Sequence, residues 1–191
     1  MTATVIAGAV LDAHEAQRTF RAVLDALARP GVARPLPAGP LERVPGALLP
    51  VLALADLGTP VCVLGDDGHW TEALTTATSA PAVPLAQARL VAALRPVTSD
   101  ELRAVPCGCA AAHEDGALVT VPVSGVDRGG AALRLTGPGV DGSSVIAPGG
   151  LVTGWLAARA VGEFPAGIDL LLVGPDGRVV GLPRSTRIEE D

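Results

Sequence analysis

A change of rhythm near residue 117 constrains the fold more than any other feature of this sequence. Upstream, helix-like and strand-like segments alternate; downstream, apolar β-rich runs come in pairs separated by glycine turns. Ala117–Val123 and Ala131–Thr136 bracket "SGVDRGG", which predicts a hairpin. Ile168–Val173 and Arg178–Leu182 bracket Gly174–Gly177 ("GPDG"), which predicts a second. Interleaving followed by pairing predicts a mixed α/β class, with a mixed sheet and flanking helices.

The upstream elements have individual signals. Asp12 followed by Glu15 is a capping-box start, and Ala16, Phe20, Val23, Leu24 and Leu27 recur at helical spacing to Arg29. Asp25 stands four residues from both Arg21 and Arg29, a spacing that supports a helix through ion pairs. Pro30-Gly31 stops it. The proline-rich run Pro30–Pro50 reads as extended chain laid across the body, because one helix before it could not form a domain. Ala47–Asp56 predicts a short buried helix, "TPVCVLG" a strand, Trp70–Thr78 a helix, Arg89–Leu94 a strand, and Ser99 to about Val105 a helix. Leu151–Ala160 also reads as helical. At 191 residues the expectation is one domain, residues 1–191.

Composition narrows the chemistry. All 14 cationic residues are arginine, so no lysine exists to form an internal aldimine with pyridoxal phosphate. Tyrosine is absent too, which leaves three histidines, three cysteines and the carboxylates for proton transfer. A net charge of −6 argues against nucleic acid or an anionic membrane as partner. No apolar run approaches the roughly 20 residues a bilayer span needs, and the N-terminus lacks a basic leader, so a cytoplasmic location with reduced thiols is expected.

Gly137–Ser144 ("GPGVDGSS") mimics two phosphate motifs at once. Gly137, Gly139 and Gly142 spell G-x-G-x-x-G, and the segment also fits a phosphate loop with Ser143 in place of lysine. Both motifs need a helix next, whose free N–H groups face the anion. The β-branched "SSVIAPGG" that follows suits a strand, so a structural glycine turn is the preferred reading. The alternative is a stand-alone nucleotide-binding phosphotransferase using this loop.

Other groups are weaker candidates. Cys107, Cys109 and His113 make C-x-C-x3-H, three ligands where structural zinc wants four, and a turn with small thiols is preferred. His14 and His69 sit at helix starts and read as surface residues. Arg184 and Arg187 lie among apolar residues near Asp169. They suit a bidentate grip on phosphate or an ion pair with Asp169 or with the 189–191 tail; burial demands a partner and favours the ion pair. No metal ligand set and no catalytic constellation assembles from the residues.

Four stretches, "FRAVLDALARPG" (Phe20–Gly31), "LRLTGPGV" (Leu133–Val140), "FPAGIDL" (Phe164–Leu170) and "LPRSTRIE" (Leu182–Glu189), together resemble the PhnH family of the bacterial carbon–phosphorus lyase machinery. The resemblance implies a fold similar to pyridoxal-phosphate-dependent transferases without the cofactor, a homodimer, and assembly with PhnG, PhnI and PhnJ. With PhnL, it implies an accessory role in forming ribose 1-methylphosphonate 5-triphosphate from ATP and methylphosphonate. It carries over no catalytic residue. Arg134, Gly137, Gly139, Asp169, Arg184 and Arg187, within those stretches, are the candidates for a ligand site or a subunit interface.

Overall fold

The computed structural model describes residues 2–160, 162 and 164–190. It opens with helices α1 (Thr2–Ala9) and α2 (Ala13–Ala28), then strand β1 (Arg34–Pro35) and short helices α3 (Ala38–Leu41) and α4 (Leu49–Leu54). Strand β2 (Val61–Leu64), helix α5 (His69–Thr78), strand β3 (Leu90–Ala93) and helix α6 (Ser99–Ala104) follow. Strands β4 (Cys107–Cys109), β5 (Ala112–Gly116), β6 (Leu118–Pro122), β7 (Gly125–Thr136) and β8 (Ser144–Gly149) precede helix α7 (Trp155–Arg159). The chain closes with β9 (Asp169–Val173), β10 (Arg178–Leu182) and β11 (Arg187–Glu190).

The main sheet has six strands in the order β1-β10-β9-β6-β3-β2. Its β2, β3, β6 and β9 run parallel, β10 pairs antiparallel with β9, and β1 pairs antiparallel with β10. A second, antiparallel sheet has the order β11-β7-β8, and β4 and β5 form a small hairpin. The class is therefore mixed α/β, a mixed sheet with flanking helices.

The parallel strands lie between two cores, which explains their unbroken apolar runs. On β9, Leu170 and Leu172 enter the core shared with α6, α7 and the second sheet, whereas Leu171 and Val173 enter the one under α2, α4 and α5. Each fully buried leucine contributes about 1.5–3 kcal/mol by leaving water. Thr120 on β6 is also buried, and its hydroxyl donates to the Val91 carbonyl (3.1 Å) and to that of Ala47 (2.5 Å).

The β9–β10 hairpin forms as its GPDG turn predicts, with Val173 opposite Val179. The hairpin expected across "SGVDRGG" does not. Strand β6 sits inside the main sheet between β3 and β9, while β7 leaves to pair with β8 and β11. Turn residues and β-rich flanks were present, but "LVTV" is buried on both faces and belongs between two other strands.

The long helix α2 is capped as expected: the Asp12 carboxylate accepts from the Glu15 N–H (2.8 Å), and the Glu15 carboxylate accepts from the Asp12 N–H (3.0 Å). Its buried face differs from the expected stripe. Thr19, Val23 and Ala26 are buried, whereas Phe20 is 47% and Leu24 55% exposed. Small residues bring the helix backbone down onto β10, which turns the larger side chains outward. Asp25 pairs with Arg29 (3.0 Å) as expected; its other partner is Arg34 (2.6 Å), not Arg21.

The 30–50 run crosses the body, but only β1 is extended strand; the rest folds into α3 and turns that bury Leu36, Val44, Ala47 and Leu48. Helical structure in 151–160 is confined to α7, behind the left-handed Gly154.

Helix α6 has a second capping box. The Thr98 hydroxyl accepts from the Glu101 N–H (3.2 Å), and the Glu101 carboxylate accepts from the Thr98 N–H (2.9 Å) and from Arg95 (2.5 and 2.9 Å). The Arg95 guanidinium and these N–H groups lower the Glu101 carboxyl from 4.5 to about 2. A depressed folded value means its stabilisation is present above pH 4.5 and is lost as pH falls toward 2. Glu101→Gln is therefore expected to cost about 1 kcal/mol at neutral pH. Thermal melts at a series of pH values should show the difference from wild type closing between pH 4.5 and 2.

Candidate functional site

The site grows from the start of β9. Asp169 is the first residue of that strand, and its carboxylate accepts from the Arg184 backbone N–H (2.6 Å) and from Nη2 of the same side chain (2.7 Å), with Nε at 3.2 Å. The other arm of the fork, Nη1, donates to the His113 carbonyl (2.7 Å). One guanidinium thus ties the turn after β10 to β9 and to the β4–β5 hairpin. Its seat requires Gly116: a Cβ there would stand 2.5 Å from Nη1. The pair is only 16% and 23% exposed, so it is the ion pair that burial demands.

Arg159, at the end of α7, grips the same turn from the other side. Its Nη2 donates to the Pro183 carbonyl (2.5 Å) and more weakly to that of Leu182 (3.4 Å), and Nη1 donates to the Thr186 carbonyl (3.4 Å). Burial pushes this guanidinium below its ordinary value, with the Asp169 charge opposing the shift. Between α7, the 164–167 segment and β11 lies a cavity of about 450 Å³ lined by Arg159, Phe164, Arg184, Thr186, Arg187 and Glu189 among others. A neighbouring hollow of about 570 Å³ shares Phe164, Arg184, Thr186 and Arg187 and reaches Gly137 and Pro138.

Four of the expected residues meet here: Gly137, Arg184 and Arg187 line the hollow, and Asp169 holds Arg184. Gly139 packs elsewhere, where a Cβ would collide with the Ala28 carbonyl at the end of α2. Arg134 stands on β7 opposite Glu189 of β11 and Val145 of β8. Arg187 pairs with no carboxylate among the described residues; Asp191, part of the tail considered for it, lies outside them. Sequence reasoning missed Arg159. Its signal was a lone arginine in the apolar run "LVTGWLAARA".

The 137–144 segment is the β7–β8 turn. Gly137, Gly139 and Gly142 have positive φ, and Ser144 begins β8 where either phosphate motif needs a helix. Cys107 is half-buried, Cys109 and His113 are exposed, and no group of three or more His, Cys, Asp or Glu side chains among the described residues could hold a metal ion. Burial pushes the Cys62 and Cys107 thiols up, away from thiolate character. His69 Nδ1 lies 2.5 Å from Asp67, whose carboxylate raises the imidazole, and His113 lies 3.7 Å from Glu114.

Fold and cleft together define an α/β protein with an arginine-lined cleft, and with no histidine set against a serine or cysteine among the described residues. A family model described as bacterial phosphonate metabolism protein (PhnH) matches residues 7–189. The chain belongs to that family. It is 34% identical to the alpha-D-ribose 1-methylphosphonate 5-triphosphate synthase subunit PhnH of Rhizobium meliloti, over 98% of this chain and 97% of that protein. It is also 32% identical to the putative C-P lyase subunit protein HtxG of Stutzerimonas stutzeri, over 94% of this chain and 88% of that protein. No helix among the described residues is long and apolar enough to cross a membrane.

Proposed function

We propose that this chain is an accessory, non-catalytic subunit of a carbon–phosphorus lyase complex, needed for making α-D-ribose 1-methylphosphonate 5-triphosphate from ATP and methylphosphonate. Its partners are PhnG, PhnI and PhnJ, joined by PhnL in the synthase reaction. Alone it is a cytoplasmic homodimer of one domain, with the fold of pyridoxal-phosphate-dependent transferases and without that cofactor. The observation that carries the reading is the convergence of all four family stretches. Asp169 and Arg184 pair, Gly137 and Phe164 line one hollow with Arg184, and Gly139 packs on the end of α2. These residues build a surface instead of a nucleophile–base pair, and Phe20, Leu24 and the 73% exposed Phe164 present large apolar groups to a partner.

Co-expression with PhnG, PhnI and PhnJ and affinity capture of one tagged subunit tests it. All four should co-purify stoichiometrically. The double substitution Phe20→Asp with Leu24→Asp changes exposed positions, so it should leave the melting temperature of the isolated chain unchanged while reducing its recovery in the complex about tenfold, the scale of a lost apolar anchor. Clean separation of the wild-type subunits would refute the assignment.

A further inference from the structure

The cleft around Arg159 holds more positive charge and more unmet hydrogen-bonding capacity than the fold needs. Arg159 is 8% exposed, and no carboxylate among the described residues lies within ion-pair distance. Its two Nη atoms reach only carbonyl oxygens, and its Nε has no partner. Thr186, 3% exposed and lining the same cavity, has a hydroxyl with no partner either. A buried guanidinium hydrogen-bonded only to carbonyl dipoles, with the Asp169 carboxylate acting on it from beyond ion-pair distance and already paired with Arg184, costs several kcal/mol unless a nearer counter-charge is supplied. Of the other charged groups on the cavity wall among the described residues, Arg184 is neutralised by Asp169, Arg187 is exposed and pairs with no carboxylate, and Glu189 is the one opposing carboxylate.

We infer that this cleft binds a tetrahedral oxyanion, the head of a phosphate or phosphonate compound, between Arg159, Thr186 and Arg187. The anion supplies the charge that Arg159 lacks and an acceptor for the Thr186 hydroxyl, while Arg187 closes on it from the rim with the planar fork that suits tetrahedral oxygens. A volume of about 450 Å³ exceeds the head group alone, so the remainder of the ligand extends toward Phe164. The assignment concerns this chain by itself and stands apart from its role in a complex.

Titration calorimetry on the full chain at low ionic strength, with inorganic phosphate, methylphosphonate and acetate as probes, tests it. Both tetrahedral anions should bind, and whichever is tighter identifies the preferred source of the head group. Acetate should bind about tenfold more weakly, since a planar monoanion cannot engage all three donors. Arg187 and Glu189 are exposed, so their variants should fold like wild type, which thermal melts verify. Arg187→Ala should weaken phosphate binding about tenfold, the loss of one charge-assisted contact. Glu189→Gln should tighten it about twofold by removing the opposing charge. Three results would each overturn the site: no heat from either tetrahedral anion at millimolar concentration, acetate binding as tightly as phosphate, or affinities unmoved in both variants.

Discussion

Gly181→Val should unfold much of the protein at temperatures the wild type tolerates. Gly181 lies within β10, opposite Leu171 of β9, and helix α2 crosses directly above it. A Cβ at this position would stand 2.5 Å from the Ala26 carbonyl oxygen, 2.6 Å from its carbon and 2.7 Å from the Leu27 nitrogen. These are helix backbone atoms, so no rotamer change relieves the contact; the helix must lift off the sheet. Overpacking against movable side chains costs about 1–3 kcal/mol, and displacing a helix that buries Val23 and Ala26 belongs at or above that limit. At about 2–4 °C per kcal/mol for a chain this size, the melting temperature should fall by roughly 10 °C or more. Gly142→Ala is the control. Its Cβ meets open space, so only the positive φ penalises it, by about 1–2 kcal/mol.

Asp169→Asn should cost about 3 kcal/mol, because it preserves shape while leaving the Arg184 charge half-buried and unpaired. Arg184→Ala should cost a similar amount, and the double variant clearly less than the sum of the two, since the pair is removed together. Arg184→Lys should not rescue stability. An ammonium cannot reach both Asp169 and the His113 carbonyl with the fork that Arg184 uses. Equilibrium denaturation of wild type and the four variants measures all of these; additive effects would show that the pair is not a unit. If the turn it anchors shapes the cleft, Asp169→Asn should also weaken phosphate binding under conditions where it remains folded.

Much of the fold was legible where a rule acts within a few residues. The Asp12 and Thr98 boxes satisfy helix N–H groups from three positions away, and GPDG closes its own hairpin, so local chemistry specified them. The Gly137–Ser144 turn was legible for the same reason: β-branched residues after it excluded the helix that a phosphate loop needs. The "SGVDRGG" hairpin failed because strand pairing is a competition among distant partners, and β3 and β9 claimed β6. The face of α2 failed because periodicity counts apolar residues and does not register that a glycine on a distant strand lets the Thr19–Ala26 side approach more closely.

The candidate site divides along the same line. Sequence placed Asp169, Arg184 and Arg187 near one another as an ion-pairing group and marked Gly137 within a turn. It could not supply Arg159 or the orphan Thr186 hydroxyl, whose importance lies in what surrounds them and not in their spacing. By itself the sequence determined the class, the helix starts, the β9–β10 hairpin, the lysine-free chemistry and the family resemblance, because each is written in residues close in the chain or in composition. Only the tertiary structure decided which strands adjoin, which side of α2 is bare, and that three of the separated stretches, those holding Gly137, Phe164 and Arg184, line one arginine-rich cleft together with Arg159. Those outcomes depend on packing and on charges brought together across more than a hundred residues, from Ala28 to Gly139.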